Sequence, residues 1–373
     1  MPKKDLIIIM IDGGRLDRAI NSKVFKKLKF NSVFFSNSIT YGPHTIAAMH
    51  AVFSGSYGTR TGTNSYWSTY NFKKNQFKTL TEYLKDNLYY THADVINQLV
   101  VPKQGFDNYV VHDELSDDLI KRHKELLDLV KQKNGNFFLY LHYSKIHTGI
   151  MNEVLKVYDN FSEEFFSNKK TNQLRYDRLF EDAENYLENI LQHIEKLGLN
   201  KNSIILVMSD HGISVGEKIG ERAYGAFCYD YTLRTFSYFL IPGQIPLEIT
   251  QQVRTIDFMP SFLELLQIPL DKKFENLDGI SLVPLMKREP YLEQYAFSET
   301  GNPLKERAPP KEPNVKSIRT SKWKLIYNQY DGSKELYNLE SDPNEVKNIF
   351  GTQCDVEKTL WDKLQSIMNE KIN

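Results

Sequence analysis

Three apolar runs constrain this chain more than any other feature, because each ends in a residue able to hold a metal ion or an anion. Leu6–Ile11 delivers Asp12, Phe137–Leu141 leads through His142 to His147, and Ser203–Ser209 delivers Asp210 and His211. Continuous apolar runs of this length read as strands buried on both faces, as in a parallel sheet. Helical patterns lie between them, at Gln76–Asn87, Asp117–Gln132 and Tyr176–Leu197. Strands alternating with helices predict an α/β fold: a doubly wound, mostly parallel sheet flanked by helices, with ligands gathered at the strands' carboxyl ends.

Beyond Asp210, a Gly- and Glu-rich loop, Gly212–Gly225, precedes a further strand, Thr235–Ile241, and Ile256–Pro260 opens a helix toward Leu266. A length of 373 residues is large for one core. The polar, proline-terminated Lys287–Pro290 is read as a boundary, giving a large α/β domain over 1–286 and a smaller α+β subdomain over 287–373. In the second part Pro303–Pro313 reads as an irregular loop. Ser317–Thr320, Trp323–Tyr327 and Glu335–Leu339 read as a small antiparallel meander, and Val356–Ile372 as a helix packed on it.

Lys plus Arg and Asp plus Glu balance at 47 each, so no global field favours nucleic acid or an anionic membrane. An anion must be bound by a local site. Cys228 and Cys354 show neither metal-ligand spacing nor a disulfide framework. No apolar run approaches the length of a membrane span, and Leu6–Ile11 is too short for a signal segment. A cytoplasmic location is the expectation.

The stretch Tyr41-Gly-Pro-His-Thr45 opens a short apolar helix, Ile46–Phe53, closed by Ser54-Gly55. Thr45 is expected at its N-cap, where unpaired N–H groups and about half a positive charge favour a phosphate or sulfate oxygen. A hydroxyl there either caps its own helix or attacks a docked anion. Asp12, Asp210 and His211 offer two carboxylates and an imidazole. With Thr45 as fourth ligand they would hold one divalent cation, with Mn²⁺, Mg²⁺ or Ca²⁺ favoured and Zn²⁺ admissible. The cation would lower the hydroxyl's pKa and polarise the ester. His147 would then bind an equatorial oxygen or protonate the leaving group. His142, within the strand's alternation, reads as structural. His50 reads as packing, His193 as a solvated or half-buried helix position, and Lys145 as a loop lysine.

With these residues in place, the chain resembles the sulfatase branch of the alkaline phosphatase superfamily over nearly its whole length. Ile11-Asp-Gly-Gly-Arg-Leu-Asp17 resembles that superfamily's first metal-binding turn. Pro43 to Gly62 resembles the nucleophile helix and the turn after it. Gly105-Phe-Asp107, His147-Thr148, Ser209-Asp-His-Gly212, Asp278 to Leu285, Glu335 to Leu339 and Asp342-Pro-Asn-Glu345 are further landmarks in the family's order. The resemblance implies metal ligation by Asp12, Asp210 and His211, Thr45 as nucleophile, and His147 in contact with substrate. It also implies that Arg15 and Asp17 brace the first turn, and that residues 1–286 form the catalytic domain.

The departures matter equally. Formylglycine is made from Cys or Ser in a Cys/Ser-x-Pro-x-Arg frame, and here the frame reads Thr45-Ile-Ala-Ala-Met49. The family's Lys-Trp-His segment is replaced by His92-Ala-Asp-Val-Ile-Asn97, and a basic position beyond the Asp-His pair by Tyr224-Gly225. An unmodified Thr resembles the phosphatase, phosphodiesterase and phosphotransferase branches. No histidine follows His211, and Tyr143 occupies the position of an extra Asp, so one metal is expected rather than two. The leading expectation is a metal-dependent hydrolase or transferase of phosphate esters or diesters through a phospho-threonine at Thr45. Its substrate would be a small molecule or a glycan. A sulfate ester hydrolase without formylglycine is the alternative. A third reading is a non-catalytic member that binds a phosphorylated glycan or a protein partner.

Overall fold

A computed structural model describes residues 3–155, 163–218, 225–304 and 310–369. Tyr224 and the middle of the Pro303–Pro313 loop lie outside the described residues, as does the end of the expected Val356–Ile372 helix. A nine-stranded sheet forms the centre. Its strands are β1 (Asp5–Ile11), β2 (Val33–Ile39), β3 (Tyr90–Val95), β4 (Asn108–Val111), β5 (Phe137–Tyr143), β6 (Ser203–Met208), β7 (Arg234–Leu240), β8 (Leu247–Ile249) and β9 (Val253–Arg254). They run in the order β4-β3-β5-β1-β6-β7-β2-β8, with β9 also on β2. β1 pairs in parallel with both β5 and β6, and only β7 runs against its neighbours. The expected mostly parallel sheet is present.

Every residue of β1 is buried, and the alternation of its side chains explains why. Ile7, Ile9 and Ile11 enter one apolar layer, with Tyr176, Phe180, Leu187 and Ile190 of the long helix Lys169–Lys196. Leu6, Ile8 and Met10 enter the opposite layer, with Met49, Val52 and Phe53 of the helix Thr45–Ser54 and with Phe258 and Phe262. Each such side chain contributes about 1.5–3 kcal/mol relative to exposure. The sheet is therefore covered on both faces, and an uninterrupted apolar run is what its central strand requires.

The chain's last third adds an antiparallel four-stranded sheet: β10 (Ala296–Thr300), β11 (Val315–Arg319), β12 (Trp323–Asn328) and β13 (Ser333–Asn338). The expected meander is there, with β10 as one strand more than the sequence pattern gave. The helix Cys354–Asn369 packs on it through Leu360, Leu364 and Ile367. Phe297, Ile318, Leu325 and Leu336 of this sheet share an apolar cluster with Ala47 and Ala51. The helix Thr45–Ser54 is thus buried along all ten residues, wedged between the two sheets. Among the described residues no helix is long and apolar enough to cross a membrane.

Candidate metal centre and nucleophile

Strand register builds the site. Met10 on β1 pairs with Met208 on β6, so two residues further along each strand Asp12 and Asp210 emerge at the same level. Asp12 is buried to 1 % exposure and Asp210 completely. Gly13 follows Asp12 with φ +72°, and a Cβ there would stand 2.4 Å from Ile213 Cδ1. This turn aims the Gly13 N–H at Asp210 Oδ1 (3.1 Å), which also accepts from the His211 N–H at 2.9 Å. Asp210 Oδ2 is left without a hydrogen bond, and so is Asp12 Oδ1.

His211 Nδ1 lies 2.8 Å from the Gly212 carbonyl. A carbonyl only accepts, so Nδ1 carries the proton and Nε2 offers a lone pair to the site. Nε2 stands 3.4 Å from Asp210 Oδ2, 3.7 Å from Asp12 Oδ1 and 3.4 Å from Thr45 Oγ1. Thr45 Oγ1 donates to Asp12 Oδ2 at 3.2 Å. The residues fit a divalent cation: ligand atoms of Asp12, Asp210 and His211 all lie within 4.8 Å of one another. Two buried carboxylate oxygens facing each other without donors are costly unless a cation lies between them.

The helix start corrects one expectation. His44, not Thr45, is the N-cap: its backbone is extended (φ −151°, ψ 145°) and its Nδ1 accepts from Ala47 N at 3.4 Å. Burial, with His211 nearby, lowers His44 to about 3, so this ring stays neutral and able to accept. Its ring also stacks on Tyr66 at 4.8 Å. Thr45 is the first helical residue, and its hydroxyl is not engaged in capping.

His142, read from the sequence as structural, lies against this centre. Its neighbour across the sheet is Met10, and its Nε2 reaches Asp12 Oδ2 at 3.1 Å. His147, on the short helix Lys145–Ile150, brings Nδ1 to 3.6 Å from the same oxygen and is the most exposed group here, its side chain 24 % accessible. Burial alone would raise Asp12, but His147 and His142 outweigh it and hold the carboxyl well below the usual range. Asp210 is raised by burial, and the charge of Asp12 adds to the effect.

Other expectations fall into place around this centre. Arg15 braces the first turn by bonding Ile213 O at 2.8 Å, Glu217 at 2.6 Å and Asp17 at 2.9–3.0 Å. His50 is packed away from the site and meets Leu99 O at 3.1 Å. Lys145, read as a loop lysine, is instead the first residue of the helix Lys145–Ile150 and donates to Glu114 O; half-buried His193 meets Asp128. Sequence reasoning gave no role to Asp94, His112 and His123, which form a second buried cluster. They come from a strand, a strand end and a helix, so no spacing rule links them.

A family model described as Sulfatase matches residues 6–268, and one described as N-sulphoglucosamine sulphohydrolase, C-terminal, matches 224–370. Arylsulfatase K of Bos taurus is 29% identical over 213 residues, which is 55% of this chain and 38% of that protein. The chain thus spans about two-fifths of the length of that relative. A 2-O GAG sulfatase superposes with a TM-score of 0.78 at 16% identity, covering 99% of this chain and 91% of the other. The phosphonate monoester hydrolase of Agrobacterium radiobacter superposes with a TM-score of 0.78 at 14% identity, covering 99% and 96%. At these identities the two superpositions concern the fold alone.

Proposed function

This chain belongs to the sulfatase family, and we propose that it cleaves or transfers phosphate esters through Thr45 beside one divalent cation. The observation that carries this reading is the placement of an uncapped Thr45 hydroxyl, 3.2 Å from Asp12 and 3.4 Å from His211, at a buried pair of donor-free carboxylate oxygens. Asp12, Asp210, His211 and Thr45 would hold the ion. Its contribution is to acidify the hydroxyl and neutralise charge on the ester, worth several kcal/mol.

The chain's own groups do the rest. Thr45 Oγ1 attacks phosphorus while the bond from phosphorus to the ester oxygen breaks and its electron pair leaves with that oxygen. The hydroxyl proton already points at Asp12 Oδ2, which stands against two imidazoles, His142 and His147, able to carry it. His147, the exposed one, delivers a proton to the departing oxygen, a role typically worth ~10²–10⁴-fold in rate. Water, or an acceptor hydroxyl, then attacks phosphorus while its bond to Thr45 Oγ1 breaks, the electron pair stays on Oγ1, and the attacking group's proton returns to it.

Phosphate is preferred to sulfate because Thr45 and Met49 replace the frame from which formylglycine is made. The same fold houses a phosphonate monoester hydrolase, so it accommodates phosphorus chemistry. The names of the family models and of the curated relative favour a second reading, sulfate ester hydrolysis without formylglycine. A small molecule or a glycan is the substrate class. Tyr66, partly exposed and stacked on His44, offers a ring face for a sugar, and the exposed Trp67 and Tyr70 follow it on the same short helix. Parallel assays with an aryl phosphate, a bis-aryl phosphate and an aryl sulfate, each with Mn²⁺, Mg²⁺, Ca²⁺ or Zn²⁺, decide the matter. Turnover of a phosphate substrate supports the proposal; turnover of the sulfate alone overturns it.

A further inference from the structure

We propose that Asp94, His112 and His123 form a second, structural site for a zinc-type cation, separate from the Thr45 centre. Asp94 lies on β3, His112 directly follows β4, and His123 lies on the helix Leu119–Lys131. All three are buried, Asp94 and His123 completely, and one ligand atom from each falls within 4.8 Å of the other two. An ion there would clip the sheet's edge strand and its covering helix to β3.

The surroundings of each side chain match what a ligand needs. His112 turns Nδ1 to Asp94 Oδ1 (2.5 Å) while its outer nitrogen, Nε2, meets Ser144 Oγ at 2.9 Å. His123 turns Nε2 toward the same oxygen at 3.5 Å while its outer nitrogen, Nδ1, meets Tyr186 OH at 2.6 Å. The other carboxylate oxygen, Asp94 Oδ2, is held by Arg122 Nε at 2.5 Å. Metal-binding imidazoles are usually oriented in this way, with the nitrogen that faces outward tied to a hydrogen-bond partner.

An independent observation points to a missing partner. His123 Nε2 is buried and makes no well-formed hydrogen bond, Asp94 Oδ1 standing 3.5 Å away. A third imidazole stands close by: the ring of His142 lies 6.1 Å from that of His112, and its buried Nδ1 also has no hydrogen-bond partner. Two imidazoles and one carboxylate oxygen suit Zn²⁺, whereas Ca²⁺ and Mg²⁺ seek six or more oxygen ligands. The two centres therefore differ in chemistry, the first being richer in oxygen.

Zinc content of the full chain tests this. After loading with Zn²⁺ and removal of the excess, the unsubstituted chain should retain about two equivalents and Asp210→Asn about one. Adding His123→Gln to Asp210→Asn should remove the remaining equivalent. Zinc retention unchanged by His123→Gln would overturn the proposal and leave a hydrogen-bonded Asp–His network. Should the variant fail to fold, anomalous diffraction at the zinc edge from the unsubstituted chain decides. A peak among Asp94, His112 and His123 is expected, and its absence overturns the site.

Discussion

The Tyr176 hydroxyl donates to the carbonyl of Gly13 at 2.8 Å, one residue past Asp12, from the first third of the helix Lys169–Lys196. The same oxygen accepts from the Arg15 N–H at 2.8 Å. One phenol thereby satisfies two buried backbone groups of the turn that presents Asp12. Tyr176→Phe leaves both without partners and should cost about 1–3 kcal/mol each at most. Urea unfolding measures the loss. Metal retention should weaken in parallel, because a loosened turn no longer holds Asp12 against Asp210.

Thr45→Ala should abolish turnover, by roughly 10³-fold or more, while the fold persists and Asp12, Asp210 and His211 still hold the cation, less tightly without its fourth ligand. The His44 cap supports this separation: the helix start does not depend on the Thr45 side chain. Thr45→Ser should keep part of the activity. Steady-state kinetics alongside elemental analysis reads both effects. Equal turnover in Thr45→Ala and the parent chain would exclude a covalent role.

Much of this centre is legible in the amino-acid sequence alone. Parallel strands bury both faces, so Leu6–Ile11 and Ser203–Met208 announce themselves as apolar runs, and an acid at the end of each has one place to go. The strand Val33–Ile39 is less legible because Ser36, Asn37 and Ser38 interrupt its apolar pattern. The role of His142 is hidden for a geometric reason: alternation along a strand tells which face a side chain takes, not whether a carboxylate from the next strand waits there. The cap falls one residue earlier than expected, since Thr is the commoner cap and His44 does the capping here. The group of Asp94, His112 and His123 is assembled by tertiary packing alone.

Acid should weaken the fold through His50. Burial lowers this ring from its ordinary 6.5 to about 4, against the opposing bond to Leu99 O. Between those values the unfolded chain binds the proton and the folded chain does not. Stability present above about pH 6.5 is therefore lost as pH falls toward 4, by up to ~3 kcal/mol. His50→Gln can keep a donor for Leu99 O without the titration. Urea midpoints measured across this window should fall less steeply in the variant; parallel curves would sink the assignment.

Lys324 is fully buried on β12 and stands 2.9 Å from Asp230 and 2.8 Å from Glu345. Arg319 supplies a further cation to Asp230 at 2.8 Å. Lys324→Met would strand a carboxylate in an apolar setting, and breaking such a buried pair costs about 3–5 kcal/mol. Thermal and urea unfolding should show it. Asp230 belongs to the segment leading into β7, so the damage should spread into the large sheet rather than stay local.

Under the proposed chemistry, the wedging of the Thr45–Ser54 helix gives the four-stranded sheet a mechanical part in positioning Thr45. Ala47 and Ala51 lean on Phe297, Ile318 and Leu325 from the side away from Met49 and Val52. Were that backstop shaved or displaced, the helix would be free to slide, and an error of about one ångström in a reacting atom can cost ~10²-fold in rate. Substitutions such as Phe297→Ala, remote from every reacting group, should accordingly blunt turnover while leaving the cation in place.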